Sequence, residues 1–202
     1  MSFEIVSKFE KKIAEFFGSK YAVAVDCCTH AIELCLIYNK TKSITVPHRT
    51  YISIPLLCNK LNLEWKWKIE EWENYYQLGD SNIYDAAVSW KRNSYLPGTF
   101  MCLSFQFRKH LSLGRGGMIL TDSKLAKEQL TKMAYDGRER NDVSWSLQNI
   151  NIIGYHYYMT PEIAQKGIEK LPEAIKKSPK KWVHKDWPDL RGMDIFKKVN
   201  EL

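Results

Sequence analysis

The segment Ser104-Phe-Gln-Phe-Arg-Lys109-His-Leu-Ser-Leu-Gly114-Arg-Gly116-Gly117 is the densest concentration of reactive chemistry in the chain. It reads as a strand end, a lysine, and a glycine-rich turn into a second strand. A lysine at the C-terminal edge of a sheet can act as a Schiff-base nucleophile once its amine is desolvated, and glycines let backbone approach a bound cofactor. Taken alone, a lysine near glycines is also what a flexible surface hairpin contains.

Other strand ends add to it. Asp85 closes an apolar run in Ile83-Tyr84-Asp85-Ala86-Ala87, where a carboxylate faces the crevice beyond a parallel sheet. Thr29 follows Val25-Asp26-Cys27-Cys28 at a helix start, where free N–H groups and a hydroxyl hold a phosphate. Tyr51, after Val46-Pro47-His48-Arg49-Thr50, offers a flat ring. A lysine, a carboxylate, a phosphate site and a stacking ring are what pyridoxal 5'-phosphate requires.

The elements that must place these residues are legible in the hydrophobic periodicity. Phe9, Ile13, Phe16 and Phe17 predict a helix over 3–17, with Gly18 as its C-cap. Strands are predicted at 21–25, 43–46, 63–69, 81–84, 99–105 and 117–121, and helices from Thr29, over 54–61 and over 123–135. Thr160-Pro161-Glu162 starts a last helix. Alternation of strand and helix predicts an α/β fold with a mostly parallel sheet flanked by helices. Residues 1–170 read as one α/β domain, and 171–202, with few periodic apolar positions and Ser-Pro and Trp-Pro breaks, as a C-terminal extension.

Composition narrows the class. The chain has 202 residues, 45% hydrophobic and 26% charged, enough for a normal core and incompatible with wholesale disorder or coiled coil. No apolar run approaches a bilayer span, and the first residues are charged where a signal peptide is apolar, so a cytoplasmic protein without a membrane partner is expected. The net charge of +7 is concentrated in a lysine-rich stretch over 166–185, read as a solvated tail because no nucleic-acid recognition motif accompanies it. Five cysteines, Cys27, Cys28, Cys35, Cys58 and Cys102, lack metal-ligand spacing and read as reduced core thiols. No metal is expected.

The motif from Ser104 to Gly117 resembles Ser-Phe-His-x-x-Lys-x-Leu-x-x-Gly-x-Gly-Gly of the DegT/DnrJ/EryC1/StrS family of sugar aminotransferases, with Gln106 in place of His. Further matches follow in family order. They run from the opening helix and Lys20-Tyr21-Ala22-Val23, through Val46-Pro47 with Thr50-Tyr51 and Asp85-Ala86-Ala87, to Gly154-Tyr155-His156-Tyr157-Tyr158-Met159-Thr160. The resemblance implies the fold of the fold-type-I pyridoxal phosphate enzymes. It also implies Lys109 as the covalent anchor and proton carrier, Asp85 as partner of the ring nitrogen and Tyr51 as the stacking ring. Ser104, Thr29 and the Cys28 N–H would take the phosphate, and His156 would reach the phosphate of the neighbouring subunit in a homodimer.

Departures accompany the likeness. Val88, Cys28 and Tyr158 replace residues of the family pattern, the C-terminal domain is reduced to a tail, and the connection between Tyr51 and Asp85 is too short for the family's strand and helix, so a sheet layer is expected to be missing. The resulting reading is an aminotransferase acting on a keto sugar, nucleotide-linked, with glutamate as donor. The alternative is a reduced relative that binds pyridoxal phosphate or a partner without transamination.

Overall fold

The computed structural model describes residues 2–201, with side chains through Lys197. Helix α1 (Glu4–Phe17) buries Val6, Phe9, Ile13, Phe16 and Phe17 on one face. It stops at Gly18, whose φ of 83° lets its N–H return to the Ala14 carbonyl. There follow β1 (Tyr21–Val25), α2 (Cys28–Tyr38), β2 (Ser43–Pro47), α3 (Ser53–Lys60), β3 (Glu64–Lys68), β4 (Tyr76–Gln77), β5 (Ile83–Asp85), β6 (Phe100–Ser104), β7 (Gly117–Thr121), α4 (Lys124–Ala134) and α5 (Pro161–Lys176). Short 3-10 turns complete the chain.

The main sheet has five strands in the order β1-β7-β6-β5-β4. Its strands are apolar throughout because both faces are covered. Val23, Val25, Cys102 and Ile119 point to a cluster with α2 and α4. The alternate residues Ala22, Ala24, Met101, Leu103, Met118 and Leu120 point to one with α1 and α5. No described helix is long and apolar enough to cross a membrane.

The α/β architecture is as expected, but the sheet is mixed rather than mostly parallel. Strand β7 is antiparallel to both β1 and β6, β4 is antiparallel to β5, and only β5 and β6 pair in parallel. The physical reason is that the lysine-bearing turn brings the chain straight back from β6 to β7, without the crossover a parallel neighbour requires. Thus β1, β5 and β6 share one direction, and their C-terminal ends lie along one edge.

The short connection between Tyr51 and Asp85 is not empty. It forms α3, β3 and β4; β3 pairs in parallel with β2 as a separate two-stranded sheet, while β4 joins the main one. Of these, α3 and β3 correspond to the helix predicted over 54–61 and the strand predicted over 63–69, whereas β4 was not predicted.

The expected division at residue 170 falls inside α5, where Leu171 and Ala174 are buried beside α1. Beyond it the chain is strapped to the β2–β3 side. The Asn74 N–H donates to the Trp182 carbonyl at 2.8 Å and the Leu190 N–H to that of His48 at 2.9 Å. Phe196 is buried with its ring edge-on to Trp65 and Trp67. The lysine-rich stretch is only partly a solvated tail, because Lys166 and Lys170 donate to the carbonyls of Leu113 and Ser112.

Candidate active site

The shared strand direction gathers most of the expected site at one edge. Asp85 ends β5, Ser104 ends β6 and Thr29 lies in the first turn of α2, just after β1. Ser104 stands opposite Gly117 in the β6–β7 ladder. A side chain at Gly117 would lie 2.4 Å from the Cys27 carbonyl carbon and 2.7 Å from the Cys28 nitrogen, so glycine is what allows β7 to abut the start of α2.

Helix α2 has no side-chain cap, which leaves the N–H groups of its first turn free for an anion. The Thr29 hydroxyl lies 2.8 Å from that of Ser53 at the start of α3, which brings the segment carrying Tyr51 beside α2. Tyr51 itself is exposed. Cys28, where the family has glycine, turns its thiol inward to donate to the Cys102 carbonyl at 3.3 Å. Burial, assisted by the Asp85 charge, pushes the Cys28 thiol well above its ordinary range. All five cysteines are free, and Cys27 alone is not buried.

Asp85 is the buried charge of this edge. Its Oδ1 accepts from the Ala87 N–H at 2.9 Å and its Oδ2 from the Tyr76 hydroxyl at 2.6 Å. Burial raises its pKa; the Tyr76 and Ala87 donors and the nearby Lys109 ammonium oppose this without cancelling it. Lys109 is half-buried in a turn held by its own N–H to the Gln106 carbonyl, with Phe105, Leu111 and Leu113 as buried anchors. His110 ties the turn to α5 by donating from Nε2 to the Ala174 carbonyl at 2.7 Å.

These residues fit pyridoxal phosphate. The carboxylate keeps a lone pair on each oxygen for a ring nitrogen, an uncapped helix start offers N–H groups to a phosphate, and a lysine lies within charge range of the carboxylate.

His156 stands apart: its side chain is exposed and Nδ1 pairs with the Asp136 carboxylate at 3.1 Å. Sequence reasoning passed over Tyr76 and Thr50, whose buried hydroxyls back Asp85. The sequence signals were the aromatic pair Tyr75-Tyr76 before the Gly79 turn and, for Thr50, its place beside Tyr51 in the family match. Sequence reasoning also passed over Asp26 and His30 at the start of α2 and Arg115 in the glycine turn before β7. Asp26 Oδ1 lies 2.7 Å from His30 Nδ1, and its Oδ2 accepts from Arg115 at 2.6 Å. Burial disfavours the His30 charge, but the hydrogen bonds and charges of Asp26 and Cys27 together outweigh it and lift the imidazole to about 9. A cleft of about 1090 Å³, lined by Lys42, Trp65, Lys66 and Asp80, lies toward the N-terminal ends of β2 and β3, away from this edge.

The sequence model of the DegT/DnrJ/EryC1/StrS aminotransferase family matches residues 2–62 and 94–181. The chain belongs to this family. The stretch between the two matched blocks carries β3, β4, Tyr76 and Asp85.

GDP-perosamine synthase of Escherichia coli O157:H7 is 24% identical over 214 residues, covering 84% of this chain and 58% of its own length. The structure of AtS13 from Actinomadura melliaura matches with a TM-score of 0.73 at 18% identity, over 86% of this chain and 61% of that one. A GDP-4-keto-6-deoxymannose-3-dehydratase with bound GDP-perosamine matches with a TM-score of 0.67 at 17% identity, over 85% and 61%. The fold is thus shared, and the chain spans about three-fifths of the length of these relatives.

Proposed function

We propose that the chain uses pyridoxal phosphate to transfer an amino group, with glutamate as donor, to a keto sugar carried on a nucleotide. The observation that supports this most is the buried Asp85 carboxylate, oriented by two donors and within charge range of Lys109. A buried carboxylate is costly unless a cation meets it, and a protonated ring nitrogen is such a cation. The sugar-nucleotide substrate is suggested by the perosamine-related relatives.

When bound, the cofactor supplies an electron sink for a carbanion beside an amino nitrogen. Lys109 Nζ is the amine for covalent attachment and the group that takes and returns the proton at the substrate carbon. Asp85 holds the ring nitrogen positive, and Tyr51 offers a ring face. The Cys28 and Thr29 N–H groups and the Thr29 and Ser104 hydroxyls hold the phosphate. His156, whose side chain is exposed, serves the phosphate of a second copy in a homodimer.

The alternative, cofactor binding without transamination, is favoured by one observation: residues 63–93, which carry β4 and Asp85, lie outside the family match. One experiment separates the two. Purified protein loaded with pyridoxal phosphate should absorb in the visible, bleach on adding glutamate, and after borohydride reduction carry the label on Lys109. Colour without bleaching supports the alternative, and a label on Lys91 or Lys124 overturns the site.

A further inference from the structure

Strand β4 is two residues long, yet it sets Tyr76 directly opposite Asp85 in the antiparallel ladder, so the two side chains share a face. Behind Tyr76, at 2.5 Å from its hydroxyl, lies the Thr50 hydroxyl, in the segment that ends β2 and leads to Tyr51. All three residues are buried, with Thr50 1%, Tyr76 5% and Asp85 6% exposed. A tyrosine hydroxyl has a single proton. With Asp85 ionised, that proton goes to Oδ2, and the Thr50 proton must then point at the Tyr76 oxygen. The chain of donors is therefore directed toward the carboxylate, which favours its charged form.

We infer that Tyr76, backed by Thr50, is the positioning residue that keeps Asp85 ionised and aimed at the edge of the sheet. The assignment of a catalytic purpose to that charge rests on the proposed function. The connection between α3 and β5, outside the family match, would thus itself supply the group that holds the carboxylate. The other titratable groups facing Asp85 are Lys109 from the motif turn, Cys28 from α2 and Cys102 from β6. Both thiols are pushed well up by burial and stay neutral, which leaves the hydroxyl chain, the Ala87 N–H and Lys109 as the influences that favour the charge.

The test follows the Asp85 carboxyl directly, by carbon NMR titration of cofactor-free protein, and then follows the loaded protein by its absorbance. Tyr76→Phe should shift the Asp85 titration upward. It should also slow the glutamate half-reaction roughly ten- to a hundredfold, the size expected when one hydrogen bond to a charge is removed, mostly through kcat rather than KM. Thr50→Val should shift the titration in the same direction but less, and Thr50→Ser should restore it; this pair carries the test if Tyr76→Phe does not fold. An Asp85 titration unmoved in either variant would overturn the inference. A titration that moves in a protein that takes up no pyridoxal phosphate would support the hydroxyl chain while sinking the proposed function.

Discussion

Asp85 and His30 carry charges whose surroundings act in opposite senses. Asp85 is raised by burial, so its ionised form is disfavoured in the folded protein. A folded-state value above the unfolded one means the folded state binds more protons as pH rises past the unfolded value. Stability then falls with pH until the raised value is passed. Replacing Asp85 with Asn removes that penalty. Cofactor-free Asp85→Asn should melt at or above wild type at neutral pH, whereas the loaded variant should lose at least about a hundredfold in half-reaction rate, because the ring nitrogen loses its counter-charge. A variant that transaminates near the wild-type rate removes Asp85 from the mechanism.

For His30 the raised value means instead that the charged form is the favoured one, although its contribution also falls as pH rises. Its folded value near 9 lies above the usual 6.5, so its contribution to stability is full below 6.5 and is lost as pH rises through about 9. The melting-temperature gap between wild type and His30→Gln should therefore be wide at about pH 6 and close by about pH 10. A gap independent of pH would show that the imidazole is neutral throughout.

Among the elements, α1 is the one on which two others depend. Gly167 of α5 sits against the Phe9 ring, and a side-chain carbon placed there would lie 2.6 Å from it. Alanine is the better helix former by about 1 kcal/mol, but overpacking a closed helix contact costs about 1–3 kcal/mol. The clash wins because Phe9 is fully buried against Phe105 and has nowhere to turn. Gly167→Ala should thus lower stability in a denaturant melt, while equal or higher stability would mean that α5 shifts outward freely.

On the same helix, Glu10 accepts from the Ala24 N–H and pairs with Arg140 at 2.7 Å, both side chains being under 10% exposed. Residues 138–142 read in the sequence as a polar loop, since nothing in a run of charges says that one will be buried. Elements with one strong period, such as α1 and β1, were legible because periodicity reports burial directly. Strand β4 was not, because a strand of two residues has no period and owes its existence to the Asp85 ladder. The mixed sheet was illegible for a related reason: strand direction depends on how the lysine-bearing turn folds. The site residues were legible where a family motif carried them, and Tyr76 was missed because no motif did.

For the whole molecule, the question of association turns on whether the rings of Tyr155, Tyr157, Tyr158 and Trp145 need a second chain to cover them. Three of these rings pack within their own chain. Tyr157 stacks on His30 at 3.6 Å and on Tyr155 at 5.3 Å, and Tyr158 meets Phe3 and Tyr135 edge-on. The fourth does not: Trp145 is 65% exposed, in a loop that also leaves Val143, Leu147, Ile150 and Ile153 in water. Tyr51 and Phe107, beside the candidate site, are exposed as well. Apolar side chains this dense within one loop are costly to solvate unless another surface covers them, and the proposed homodimer supplies one. Light scattering should therefore find a dimer, and Trp145→Glu combined with Leu147→Glu should convert it to a monomer that still melts cooperatively. Mixing a Lys109→Ala chain with a His156→Ala chain, each inactive alone, should restore activity at one site per hybrid if His156 serves the opposite chain. A wild-type monomer with full activity would end the proposal. A dimer whose hybrids stay inactive would keep the interface and return His156 to its own chain, where its pairing with Asp136 already holds it.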